Sequence, residues 1–197
     1  MHGLPPPAKQ ALRAVLLEAR RRRTPAQRSA VEEALVAHLL ALAPVARARR
    51  VAAYRSMADE PGTGALLAAL HERGTEVLLP VTLDDGGLDW ALHAPDAPTR
   101  RSRLGVEEPT GERLGAGALA GADVVVLPAL AVDHGGHRLG RGAGYYDRAL
   151  EAEGRGPLLV ALVHAEELLP EVPHEPHDVP VQVVVTETGV FRVPRAG

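Results

Sequence analysis

The sequence predicts a three-layer α/β/α sandwich, Rossmann-like, with a mostly parallel central sheet. Strand and helix signals alternate from residue 50 onward. The run "ADVVVLPALAV" (122–132) is apolar almost throughout, as a central strand covered on both faces must be. A glycine-rich stretch follows that run and leads into a helix, at the edge where open α/β sheets bind ligands. With 197 residues, no internal repeat and no low-complexity linker, a single domain spanning 1–197 is expected.

The elements follow in chain order. After the Pro5–Pro7 run, "AKQALRAVLLEARRR" places Leu12, Val15, Leu16 and Ala19 on one helical face. Thr24 supplies an N-cap, Pro25 a first-turn proline and Gln27 a capping-box partner for a second helix. That helix buries Val31, Leu35, Leu39 and Leu42, and Pro44 is expected to end it. "RVAAYRSM" (50–57) is the first strand. A short helix over 63–74 closes on Gly74, a C-terminal glycine cap. Strands are expected at "EVLLPVTL" (76–83) and, past the "DDGG" turn, at "GLDWALHAP" (87–95). The apolar run 122–132 comes next, then the glycine stretch and the helix "YYDRALEAEG". "PLLVALVH" (157–164) and a C-terminal hairpin turning at Thr188–Gly189 complete the order.

Composition removes several function classes. The formal charge of −3 gives no bulk attraction to nucleic acid. Without cysteine, disulfides and thiolate metal sites are excluded. "MHGLPPPAKQ" has no charged lead before an apolar run, and no apolar stretch is long enough for a bilayer. A cytoplasmic protein is expected, with no membrane, nucleic-acid or protein partner implied. One Phe, one Trp and three Tyr leave a core of Leu, Val and Ala, so the Tyr145–Tyr146 pair stands out.

The stretch "RLGRGAGYYDR" (138–148) carries the chemistry. Gly140, Gly142 and Gly144 let the main chain approach a ligand and converge its N–H groups on an anion. The positive end of the following helix adds to that field, and Arg138 and Arg141 bring guanidinium forks suited to phosphate oxygens. Neither GxGxxG nor a Walker sequence is present, so a dinucleotide site of the usual kind is not expected. Asp147, in the first helical turn, either steadies the helix or holds Mg²⁺ beside a polyphosphate. Asp178, in "PHEPHDVPV", is a second candidate carboxylate or a loop cap. Lys9 and Arg13 share a helix face and would add two cations if that face meets the glycine loop.

Other signals are weaker. Arg20–Arg23 end a helix with no interleaved aromatics, so a solvated helix end is expected there. His134/His137 and His174/His177 are spaced HxxH, but they lie in Pro- or Gly-rich loops and no HExxH occurs. Glu60, in "YRSMADEP", falls at the substrate edge of the first strand, while Glu107 and Glu108 precede a proline turn.

In order and over nearly the whole chain, "KQALR", "YRSMADEP", "LLPV", "GVEEP", "LPALAVDHGGHRLGRGAGYYDR" and "PHDVPVQVVVTE" resemble the 5-formyltetrahydrofolate cyclo-ligase family, also called 5,10-methenyltetrahydrofolate synthetase. The long glycine-centred run is the specific part. The resemblance implies ATP-dependent closure of 5-formyltetrahydrofolate to 5,10-methenyltetrahydrofolate, with ATP as co-substrate and Mg²⁺ as cofactor. It implies that Lys9, Arg13, Arg138, Gly140, Arg141, Gly142, Ala143, Gly144, Tyr145 and Tyr146 bind ATP. Among these, Arg141 and Tyr146 stand at the chemistry. Asp147 and Asp178 would hold the metal, and Arg55 and Glu60 would meet the folate. Ala129, Val132 and Ala143 depart from the family pattern. Two rivals remain: a phosphate-binding isomerase or transferase that consumes no ATP, and a non-catalytic nucleotide- or RNA-binding module that uses Arg20–Arg23.

Overall fold

The computed structural model describes residues 6–151, 156–175 and 178–194. Three helices come first: α1 (Pro6–Arg21), α2 (Pro25–Leu40) and the single turn α3 (Ala43–Ala46). The chain then enters β1 (Arg50–Ala52), α4 (Gly64–Glu72), β2 (Glu76–Thr82) and β3 (Leu88–Leu92). A small hairpin, β4 (Thr99–Arg101) and β5 (Glu107–Pro109), and a 3-10 turn (Ala116–Gly121) lead to β6 (Val124–Pro128). Next are β7 (Ala131–Asp133), β8 (Arg138–Leu139), α5 (Tyr145–Glu151) and β9 (Leu158–Leu162). Short β10 (Leu168–Leu169) precedes the terminal hairpin β11 (Val183–Thr186) and β12 (Gly189–Arg192).

The main sheet is ordered β12-β11-β9-β6-β1-β2-β3. Its five inner strands pair in parallel, while β3 and β12 join antiparallel at the edges. Strand alternation sorts the core into two layers. Val51, Val77, Leu79, Val124, Val126, Val160, Val183 and Val185 face α2 and α4. Ala52, Leu78, Val125, Leu127, Leu159, Ala161 and Val184 face the opposite side, with Trp90, Leu119 and Leu150. A third cluster packs Leu16 of α1 onto Leu130, Ala131, Leu139 and Val172, over the three-stranded sheet β10-β7-β8. This is the expected α/β/α sandwich. Among the described residues no helix is long and apolar enough to cross a membrane.

Several local expectations hold. Thr24 Oγ1 accepts from the Gln27 N–H, and the Gln27 side chain accepts from the Thr24 N–H, a closed box that stabilises α2 by about 1 kcal/mol. Val31, Leu35, Leu39 and Leu42 are buried. Four details differ. Pro44 does not stop α2, which ends at Leu40, but sits in the first turn of α3, where a missing N–H costs nothing.

The first strand ends at Ala52 instead of running to 57. Beyond it Ser56 and Thr63 exchange backbone-to-hydroxyl bonds at 3.0 and 3.2 Å, and the Thr63 hydroxyl donates to Tyr54 O at 2.7 Å. These local bonds divert the backbone from the ladder.

The run 122–132 is two strands. Pro128 closes β6, and Ala129 O is taken by the Arg20 guanidinium at 2.6 Å. Leu130 N then turns to Leu139 O at 2.7 Å, so β7 belongs to the small sheet.

The inward face of α1 is also rotated. Val15 is 66% exposed and Ala19 is exposed, whereas Leu16 is buried and Arg20 is 1% exposed. Lys9, Arg13, Leu16 and Arg20, at steps of four, three and four, form the inward row. Three of the four are cations, which an apolar pattern cannot reveal.

Candidate active site

The chain leaves β1 toward β2 and β3, returns to β6 on the other side of β1, and continues to β9. Adjacent strands that send the chain in opposite directions open a crevice at their carboxyl ends. A cavity of about 430 Å³ opens there, within the size range of small-molecule sites. Its floor includes Tyr54 and Arg55 after β1, Leu79 and Pro80 of β2, and Pro128 and Ala129 at the end of β6. The glycine loop forms one wall.

Lys9, Arg13, Arg55, Glu60, Arg138, Gly140, Arg141, Gly142, Ala143, Gly144, Tyr145, Tyr146, Asp147 and Asp178 all line this cavity. The glycine loop does not follow β6 directly; the β7–β8 hairpin intervenes and carries it to the crevice. Gly142 has φ +104° and Gly144 φ +70°, values that side-chain-bearing residues rarely adopt. A Cβ on Gly144 would also lie 2.7 Å from Arg148 Nη1. Arg148 is the buckle of the loop. It donates to Gly86 O at 3.0 and 2.6 Å and to Ala143 O at 2.9 Å, and its guanidinium lies 5.4 Å from the Tyr145 ring centroid.

α1 does meet the glycine loop. Arg13 Nε donates to Gly140 O at 2.9 Å, and Lys9 Nζ stands 3.1 Å from Glu175 Oε1. Arg138 Nη2 pairs with Asp147 at 2.7 Å. Arg141 Nε donates to Glu60 at 3.1 Å, and its Nη2 pairs with Asp59. The second Glu60 oxygen accepts from the Met57 N–H at 2.8 Å. So Glu60 and Arg141, 81 residues apart, share one contact. An anion entering here exchanges with carboxylates that already neutralise these cations; the gain is the difference between a singly charged carboxylate and a more highly charged group.

Two tyrosines close the floor. Burial, with the Glu60 charge second, pushes both the Tyr54 and Tyr146 hydroxyls above the ordinary tyrosine range, so both remain neutral donors at physiological pH. Among the described residues, Tyr54 Oη and Arg138 Nε are buried without a hydrogen-bond partner, as are few polar groups in folded proteins.

Sequence reasoning missed Tyr54, Arg148 and the support beneath the floor. Arg20, expected in solvent, is buried and bidentate to Glu167 at 2.6 and 2.7 Å. Glu108, among the weaker signals of the sequence, is 2% exposed and accepts from the Thr82 N–H and hydroxyl at 3.1 and 2.7 Å. Arg148 was within reach of sequence reasoning through its place in the glycine run. The Arg20–Glu167 pair spans 147 residues and carries no local signal. Arg21 and Arg22 are exposed and pair with Glu18 of α1, while Arg23 pairs with Glu166.

Residues 6–187 match the family model described as the 5-formyltetrahydrofolate cyclo-ligase family. The chain is 41% identical over 186 residues to a 5-formyltetrahydrofolate cyclo-ligase of Mycolicibacterium smegmatis, covering 92% of this chain and 94% of that protein. It is 30% identical to the Escherichia coli protein of the same name, covering 90% and 99%. The solution structure of Aquifex aeolicus 5,10-methenyltetrahydrofolate synthetase superposes with a TM-score of 0.81 at 27% identity, covering 96% of this chain and 94% of that one.

Proposed function

The chain belongs to the 5-formyltetrahydrofolate cyclo-ligase family, and from that premise we propose that it closes 5-formyltetrahydrofolate to 5,10-methenyltetrahydrofolate while converting ATP to ADP and phosphate. The observation that carries this reading is convergence. Residues assigned to nucleotide, folate and metal, drawn from four separate stretches of sequence (9–13, 55–60, 138–147 and 178), line the same cavity.

A formamide oxygen is a poor leaving group, so the reaction must activate it. In the proposed sequence the formyl oxygen attacks the γ-phosphorus and ADP departs. The folate N10 then attacks the activated carbon and gives up its proton, and the carbon–oxygen bond breaks to release phosphate. No enzyme nucleophile is needed, in keeping with a chain that has no cysteine. The work falls to charge and positioning. The N–H groups of 140–144, with Lys9, Arg13 and Arg138, cradle the polyphosphate. Arg141 follows the charge on the transferring group, and neutral Tyr146 offers a hydroxyl proton to an oxygen there. Arg55 and Glu60 hold the folate, the Glu60 carboxylate accepting from pterin donors. Asp147 and Asp178 both line the cavity and fit Mg²⁺ in donor chemistry, as carboxylates. When bound, the ion would offset charge on the phosphate oxygens.

The test is direct. The purified protein is mixed with 5-formyltetrahydrofolate and the methenyl absorbance is followed, with Mg-ATP, with ATP and chelator, and without nucleotide. Product should form only in the first mixture, with one ADP per turnover. Product without nucleotide, or none with Mg-ATP, would overturn the proposal.

A further inference from the structure

Of the two HxxH pairs, His177 lies outside the described residues, and His134 and His137 of the other pair part to different partners. His134 packs on the Phe191 ring with centroids 5.3 Å apart. His137, at the end of the β7–β8 turn, instead meets His174 of the late loop. Their rings lie face to face, centroids 3.5 Å apart and planes within 3°. Asp133, four residues before His137, completes the group. One ligand atom from each of Asp133, His137 and His174 lies within 4.8 Å of the other two. We propose that these three residues, none of which lines the main cavity, form a site for a borderline divalent transition metal such as Zn²⁺ or Co²⁺.

The chemistry of the donors selects the ion. Two imidazoles and one carboxylate suit zinc and its neighbours, whereas Mg²⁺ takes oxygen ligands. The carboxylate is already oriented. Asp133 is 4% exposed and accepts from the N–H groups of Gly135 at 2.8 Å, His137 at 3.0 Å and Val172 at 3.1 Å, as an outer shell holds a metal ligand. His137 Nδ1 stands 3.1 and 3.2 Å from the two Asp133 oxygens. Ligands about 2.1 Å from a tetrahedral ion stand about 3.4 Å from each other, so an ion replaces the proton shared by Asp133 and His137 with little movement of that pair, while the exposed His174 ring must turn to join it.

His174 Nδ1 donates to Val172 O at 3.1 Å, which fixes the tautomer and leaves Nε2 its lone pair. Among the described residues neither Nε2 has a hydrogen-bond partner. A cation held by Asp133 and His137 Nδ1 would take the His174 Nε2 lone pair once the exposed His174 ring turns out of the stack. Binding releases the Nδ1 proton of His137 to solvent.

The site would join two parts of the fold that meet the cavity. His137 precedes Arg138 of the glycine wall, and His174 lies between Pro173 and Glu175, both of which line the cavity. A bound ion would pin the late loop to the β7–β8 hairpin. The proposal does not depend on the folate reading.

Full-length protein, stripped with chelator and desalted, is titrated with Co²⁺ and followed by visible d–d absorption, with Zn²⁺ as competitor. One equivalent should bind, and Zn²⁺ should displace it while Mg²⁺ at the same concentration should not. His174 is exposed, so His174→Ala tests ligation without disturbing the core; it should weaken binding at least tenfold, as should His137→Ala. His134→Ala should bind as the parent does. No saturable Co²⁺ binding, binding unchanged in His174→Ala, or displacement by Mg²⁺ would each overturn the assignment.

Discussion

Replacing Glu167 by Ala strips the buried Arg20 guanidinium of its carboxylate. The two side chains are 1% and 2% exposed and bond twice, Nε to Oε1 at 2.6 Å and Nη2 to Oε2 at 2.7 Å. An exposed pair of this kind contributes under about 1 kcal/mol. Here the charge left behind cannot rehydrate, and breaking such a pair costs about 3–5 kcal/mol. Glu167 Oε2 also accepts from the His164 N–H at 2.8 Å, and a buried N–H without a partner adds about 1–3 kcal/mol. That total is comparable to the whole stability of an ordinary domain. Arg20→Met with Glu167→Leu removes both charges at similar volume and should recover most of the loss. Urea denaturation followed by circular dichroism measures all three proteins against the parent. A loss below about 1 kcal/mol for Glu167→Ala, or a double variant no better than the single, would refute the reasoning.

On the proposed function, in which the Arg141 fork exchanges from Glu60 and Asp59 onto phosphate, Arg141→Ala should raise the KM for ATP at least tenfold and the KM for folate much less, because Glu60 keeps its bond from the Met57 N–H. Equal rises in steady-state assays would place Arg141 with the folate instead. His164 supplies a pH test. Burial, then the charges of Arg23 and Arg20 against the weaker pull of Glu166, lowers it from the ordinary 6.5 to about 4. A depressed histidine is neutral in the fold, so its contribution is complete above pH 6.5 and is lost as pH falls toward 4. At about 1.4 kcal/mol per pH unit the loss reaches about 3 kcal/mol. His164→Gln should flatten the stability profile in that window, and an unchanged slope would contradict the assignment.

What the sequence could reveal follows from the range of the physics involved. Parallel strands buried on both faces need continuous apolar runs, so β2, β6 and β9 were legible. The capping box of α2 is complete within four residues, and the glycine loop announces itself because positive φ at Gly142 and Gly144 restricts the residue type. Contacts closed by the fold were hidden. An apolar periodicity search puts Val15 inside and Arg20 outside, because it has no means to foresee Glu167 arriving from 147 residues away. The Glu60–Arg141 pair and the His137–His174 stack arise the same way, between segments that are adjacent only after the crossovers are made. The break at Pro128 was visible as a residue but not as a change of sheet, since Ala129, Leu130 and Ala131 stay buried and apolar on both sides of it.

The central claim is that the bare main chain at 140–144 and the cations around it hold a polyphosphate. The most direct measurement is equilibrium binding of Mg-ATP and of 5-formyltetrahydrofolate, by calorimetry, to the parent and to Gly142→Val. At φ +104° with the Arg13 guanidinium 3.6 Å from a Cβ, valine strains the loop and intrudes on the cation beside it. ATP affinity should fall at least tenfold while folate affinity stays within about twofold. ATP bound equally well by both proteins would contradict the claim.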